Sequence, residues 1–307
     1  MKPNQFAATI VCAVDDELLE PTEWFHALHN QTIPHDQYEV LIIDGCHETT
    51  HQEEFERYRR EHNPKGNVSY RRISKSGRAT SLNHAIAMAN SNLIIFLGDD
   101  CLPPLDFAER HLRFHKEHPE VSVVAIGPAL FPPELRTPFT QWLEQGGRLW
   151  GLPFDSKMSS IPADFFYVAN ASVKRELLDQ AGRLDDRFEA HAWDDFEFGQ
   201  RLSAAGMRAE LLRDNVVLHL HKIDLESREG AMLRAGVAAK IYFTSHPTEH
   251  AWPDSFRAKF HWLREAFANI QLRLNPSDRA REYWWGVQLD AAFISGYRNQ
   301  HNGHRQV

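Results

Sequence analysis

The chain contains no long hydrophobic run: nowhere in its 307 residues do 18 apolar residues follow one another, which argues against a membrane-spanning helix. Met1 to Phe6 is polar and shows no apolar signal-peptide core. Cysteine is scarce. Cys12, Cys46 and Cys101 cannot all pair and have no metal-ligand spacing, so a disulfide scaffold and a zinc cluster are both excluded, and free thiols of a reducing compartment, the cytosol, are expected. Positive charge is not in excess. A net charge of −8 excludes a broad nucleic-acid-binding surface, though it leaves room for a local basic patch. There is no low-complexity tract and no internal repeat. The remaining composition, 42% hydrophobic and 25% charged, is that of an ordinary globular chain, long enough for one large domain or one domain with an appendage.

The first half alternates strand and helix patterns. Strands are expected over Ala8–Val14, Tyr38–Ile43, Val68–Ile73, Leu93–Leu97 and Val121–Ile126. Between them, helices are expected over Pro21–Asn30, Glu53–Glu61, Ala79–Asn90 and Leu105–His118. Such alternation implies an α/β fold with a mostly parallel sheet flanked by helices. From Pro128 to Pro162 the chain is rich in Pro, Gly and aromatics, a long loop with a short helix over Phe139–Gln145. Val173–Gln180 and Asp194–Ala205 read as helices, Leu211-Leu212 and Val216–Leu220 as short strands. From Glu226 onward three helical pieces are expected, broken near His246-Pro247 and Asn275-Pro276. The expected domains are 1–222, Rossmann-like, and 223–307, a helical region packed on it.

The most informative stretch is Phe96-Leu97-Gly98-Asp99-Asp100-Cys101-Leu102-Pro103-Pro104. It sets two carboxylates at the carboxyl end of a buried strand, where open α/β sheets bind ligands. A carboxylate there can hold a divalent metal that bridges two phosphates. Alone, Asp-Asp reads equally well as a solvated turn. A second signal lies upstream, where Gly77-Arg78 opens a helix carrying Asn83. A helix start presents backbone N–H groups and a positive dipole end to an anion, and Arg78 stands where it can meet a diphosphate. Downstream, Trp193-Asp194-Asp195 opens another helix, and Val216 to His221 ends in two histidines.

Together, these segments resemble an inverting glycosyltransferase of family 2, with the GT-A nucleotide-sugar-binding fold, over roughly residues 8–222. The resemblance implies that Asp44, in the Ile43-Asp44-Gly45-Cys46 turn, binds the uracil or other base. It implies that Gly77 and Arg78 serve the donor diphosphate while Asn83 braces their loop as part of the nucleotide-sugar site, and that Asp99-Asp100 is the D-x-D motif with Asp100 the metal ligand. Gly98 stands where that motif has its first Asp, which in the family contacts the ribose or a metal-bound water; Asp99 takes that role if the loop shifts by one residue. Asp195 falls at the general base and Asp194 at the acidic residue before it. His219 and His221 fall at the strand end that carries a metal-binding His, and both point to one face of a strand. The implied reaction moves a sugar from a nucleotide-diphosphate donor, a UDP-sugar, to a hydroxyl of a glycan or lipid-linked acceptor with Mn2+ or Mg2+, in polysaccharide biosynthesis and in the cytoplasm.

Two other classes compete. A nucleotidyltransferase would place a Gly-rich, Lys-containing loop after the first strand, where Val14-Asp15-Asp16-Glu17 stands. A non-catalytic sugar-nucleotide or glycan-binding module would explain Gly98 but has no use for a base. Phe260, Leu263, Phe267 and Ile270 share one helical face, read as a brace on the catalytic domain or a dimer contact ahead of a peripheral membrane contact. Homo-oligomerisation is left open.

Overall fold

The computed structural model describes residues 5–14, 18–46, 50–64, 67–74, 77–146, 149, 160–188 and 193–299. The strands are β1 (Ala8–Val14), β2 (Tyr38–Asp44), β3 (Asn67–Arg72), β4 (Leu93–Leu97), β5 (Cys101–Leu102), β6 (Val123–Ile126), β7 (Ala129–Leu130), β8 (Ser160–Ile161), β9 (Asn170–Lys174), β10 (Arg208–Leu211) and β11 (Val217–His219). The helices are α1 (Pro21–His29), α2 (Thr50–His62), α3 (Arg78–Met88), α4 (Phe107–Glu117), α5 (Pro138–Gln145), α6 (Arg175–Ala181), α7 (Trp193–Ala204), α8 (Leu225–Ser245), α9 (Phe256–Lys259), α10 (His261–Leu274) and α11 (Asp278–Arg298).

Two compact units result. One comprises Met1–Arg136, Glu144–Asp186 and Asp194–His221, the other Thr137–Leu143, Arg187–Trp193 and Lys222–Val307. In the first, an eight-stranded sheet runs in the order β3-β2-β1-β4-β9-β6-β10-β8. Every residue of β1, β2 and β4 is buried, as their mostly apolar composition requires when both sheet faces are covered, and Thr9, Glu39 and Asp44 are buried with the rest. The expected mostly parallel α/β sheet is what the chain adopts.

One expectation fails locally. The helix placed over Val173–Gln180 begins only at Arg175, because Asn170–Lys174 is a strand. β9 lies antiparallel between β4 and β6, pairing Leu97 with Asn170 and Ile126 with Ala171. Its five residues are too few for periodicity to separate strand from helix, and only two long-range partners decide the matter. The strand placed at Leu211-Leu212 likewise shifts to Arg208–Leu211, in parallel register with β6. A second, three-stranded sheet, β5-β11-β7, was not anticipated, since two-residue strands leave no pattern.

The second unit is built around α8 and α11, which approach so closely that a methyl group has no room between them. A Cβ on Gly236 would lie 2.1 Å from the Phe293 carbonyl oxygen, and one on Gly296 1.9 Å from that of Leu233. The contacted atoms are backbone and cannot swing aside. Gly296→Ala is therefore expected to force the helices apart and to cost at least about 1–3 kcal/mol, the usual range for overpacking. Chemical unfolding checks this, and an unchanged midpoint would mean that the two helices can separate freely. Around the same pair, Trp193 packs on Tyr242 and Phe243, with ring centroids 5.2 and 5.4 Å away.

Candidate active site

All ten residues singled out from the sequence lie in the first unit. Asp44 is the last residue of β2, in register with Val14 on one side and Arg72 on the other, and it is fully buried. Its Oδ1 accepts the Cys46 N–H at 2.7 Å, and its Oδ2 accepts the Tyr70 hydroxyl. Burial, reinforced by this carboxylate, raises the Tyr70 phenol and keeps it protonated as a donor. A carboxylate oxygen has two lone pairs, so Asp44 retains acceptor capacity beyond these two bonds. Tyr70 was missed in the sequence, although alternation along β3 points it inward.

Gly77 caps α3 in extended geometry (φ −71°), and Arg78 is the first helical residue. Lys75 and Ser76, ahead of it, lie outside the described residues. Arg78 reaches across the unit to the start of α7. Its Nε donates to Asp194 Oδ2 at 2.9 Å and its Nη2 to Asp194 Oδ1 at 2.7 Å, a bidentate fork. The same Nη2 lies 3.0 Å from Asp195 Oδ2. The cation expected at a diphosphate is thus bonded to the acidic pair. No local signal links residues 116 positions apart. Asn83, one turn further on, makes a two-way bond with the Leu184 backbone, donating to its carbonyl and accepting its N–H, each at 2.9 Å. It pins the loop that precedes the acidic pair.

Asp195 is set apart from ordinary carboxylates. Burial raises its pKa to about 7, Arg78 opposes the rise, neighbouring Asp194 adds to it, and the Val168 backbone hydrogen bond lowers it. Val168 also ties this carboxylate to the Asp-Asp loop, because the next residue, Ala169, accepts the Gly98 N–H at 3.1 Å. The segment entering β9 therefore holds both acidic elements side by side.

The Asp-Asp loop turns directly into β5, whose Cys101 pairs with His219 of β11. The Leu220 N–H donates to the Asp100 carbonyl at 2.8 Å, and His219 Nε2 lies 2.8 Å from Asp100 Oδ2. His219 is buried and edge-on to Phe131, with ring centroids 5.1 Å apart. His221 is exposed, its ring stacked 6.2 Å from that of His219. One imidazole and one carboxylate fit Mn2+ or Mg2+ only if diphosphate oxygens and water complete the shell. Among the described residues no group of three or more His, Cys, Asp or Glu could hold a metal unaided. At Gly98 a Cβ would come within 3.0 Å of Asp100 Oδ1 and 3.2 Å of Cys101 Sγ. Both neighbours are side-chain ends that need to yield by only a few tenths of an ångström.

No disulfide joins the three cysteines; Cys12 and Cys101 are buried and Cys46 partly so. Asp15 to Glu17, which bear on the nucleotidyltransferase reading, lie outside the described residues. No described helix is long and apolar enough to cross a membrane.

Residues 22–180, more than half of the chain, match the family model described as "Glycosyl transferase family 2". No curated protein matches the chain. Among solved structures it is similar to a mannosyltransferase, PcManGT of Pyrobaculum calidifontis, in complex with GDP-Man and Mn2+. That similarity has a TM-score of 0.62 at 16% identity and covers 96% of this chain and 88% of that one. It is also similar to residues 1–349 of S. aureus TarS, with TM-score 0.55, 13% identity, and 98% and 93% of the two chains covered. The same TarS segment in complex with UDP-GlcNAc matches at TM-score 0.53 and 15% identity, covering 95% and 90%. At these identities the likeness shows the fold, and it agrees with the GT-A expectation.

Proposed function

The chain belongs to glycosyl transferase family 2, and on that premise we propose that it transfers a sugar, with inversion, from a UDP-sugar to a hydroxyl group of a glycan or lipid-linked acceptor. The observation that carries this reading is the acidic pair: a buried carboxylate raised to about 7, beside a second one, both held by Arg78 and linked to the Asp-Asp loop through Val168 and Ala169. Such a group is poised to accept a proton near neutral pH. In the proposed step the acceptor oxygen attacks the anomeric carbon while the bond from that carbon to the diphosphate oxygen breaks on the opposite face. Asp195 takes the acceptor proton, and the nucleoside diphosphate leaves with the electron pair. Arg78 orients Asp194 and Asp195. A divalent ion held by Asp100 and His219, when bound, would neutralise charge on the diphosphate.

The fold neighbours were solved with different nucleotides, GDP-Man in one and UDP-GlcNAc in the other. Base preference must therefore come from local contacts, and Asp44 at the end of β2 supports uracil, whose ring N–H its spare lone pairs can accept. A purely binding module would have no use for a carboxylate with raised pKa. We read the setting as polysaccharide biosynthesis in the cytoplasm, where cysteines outside disulfides persist.

Donor hydrolysis across common nucleotide-sugars, with and without Mn2+, tests the reaction without an acceptor. Calorimetry tests the metal. UDP is expected to bind weakly in EDTA and more tightly with Mn2+ or Mg2+, and His219→Ala to abolish the difference. Equal affinity in metal and in EDTA would remove Asp100 and His219 as ligands.

A further inference from the structure

Helix α10 turns its apolar side outward. Phe260, just before it, and Leu263, Phe267, Ile270 and Leu274 recur at spacings of three and four, one stripe of a helix. All five are exposed, from 43% for Phe260 to 81% for Leu274, and Trp262 beside them is 60% exposed. The inward side carries buried Ala268, half-buried Leu272 and buried His261, whose Nε2 lies 2.9 Å from the Val287 carbonyl. The packing stripe of this helix is therefore not the one that meets its neighbours. Isolated exposed apolar residues need no explanation, but a continuous face of this kind marks a contact surface.

Charge selects what covers it. Residues 256–282 carry six Lys and Arg against three Asp and Glu, in a chain whose net charge is −8. Arg264 is held by Asp290 at 3.2 Å and Arg281 by Asp278 at 3.1 Å. Lys259, Arg273 and Arg279 are exposed, and Arg273 stands among the outward residues of α10. A second copy would bring one basic patch against another. An anionic lipid surface instead meets both features, since aromatic and aliphatic side chains enter the headgroup boundary while flanking cations reach the phosphates. We propose that the outward face of α10, with Lys259, Arg273 and Arg279, docks this protein on anionic bilayers as a peripheral contact. The docking goes beyond the transfer reaction and does not depend on it.

Co-sedimentation of the full chain with vesicles tests this, without donor or metal. The wild type should bind vesicles of phosphatidylcholine mixed with phosphatidylglycerol, and salt should weaken that binding. Phe267→Asp with Ile270→Asp should lower binding about tenfold or more. Lys259→Glu with Arg273→Glu should lower it by a similar factor on the anionic vesicles alone. Both variants should melt like the wild type, which separates loss of docking from loss of fold. Absence of wild-type binding, equal binding to pure phosphatidylcholine, or full binding by the Phe267→Asp, Ile270→Asp variant would each overturn the proposal. Concentration-dependent self-association that this variant abolishes, with no vesicle binding by the wild type, would assign the face to a second copy instead.

Discussion

Asp195→Asn is expected to transfer sugar about 10²-fold or more slowly than the wild type while binding the donor almost as tightly. Asparagine preserves the size of the side chain and its contact with Arg78 through the remaining oxygen, but it cannot accept the acceptor's proton. The wild-type pH profile provides a second readout. Transfer needs the ionised carboxylate, and burial has raised Asp195 to about 7. Activity should therefore climb with pH through an acidic limb near that value, belonging to the Asp194–Asp195 pair as a unit. In Asp195→Asn that limb should disappear. The same raised pKa runs the other way for stability. Between the ordinary carboxylate range and about 7 the folded state holds a proton that the unfolded state has released, so this group's contribution is present at low pH and is lost as pH rises through 7. Near-normal turnover by Asp195→Asn with a true acceptor would remove the base, and with it the support for inversion.

Arg78→Leu is expected to reduce stability by about 3–5 kcal/mol near pH 8, the usual cost of leaving a buried charge without its partner. Asp194 is almost fully buried and receives both arms of the guanidinium, while Asp195 shares one nitrogen. Without the cation, Asp195 loses the group that opposes its rise and is driven further toward protonation. The variant should regain part of its stability as the pH falls toward 5, because the raised pKa of Asp195 favours the folded state only while the proton is bound. Thermal melts at pH 5 and pH 8 measure this directly. The competing role for Arg78, direct contact with the donor diphosphate, gives a different pattern: weaker donor binding with an unchanged melt. Any activity left in Arg78→Leu should have its acidic limb moved upward, since Arg78 is the group that restrains the rise at Asp195.

Mostly apolar runs at Ala8–Val14, Tyr38–Ile43 and Leu93–Leu97, separated by helical periodicity, were sufficient to announce an α/β sheet, because burial on both faces leaves a composition signal in the sequence itself. The family was legible in the same way, through short motifs at strand ends and helix starts. The residues of the candidate site could be named, but not their pairing. Arg78 meets Asp194 across 116 positions, Asp100 meets His219 across 119, and Asn83 meets Leu184 across 101. Each contact depends on which strands lie side by side. The antiparallel insertion of β9 between β4 and β6 and the two-residue pairing of β5 with β11 leave too few residues for any local pattern. Local propensity and hydrophobic period determined the layers of this protein. The geometry that joins Arg78 to the Asp194–Asp195 pair and Asp100 to His219 came from long-range backbone hydrogen bonds, whose partners only the folded chain brings together.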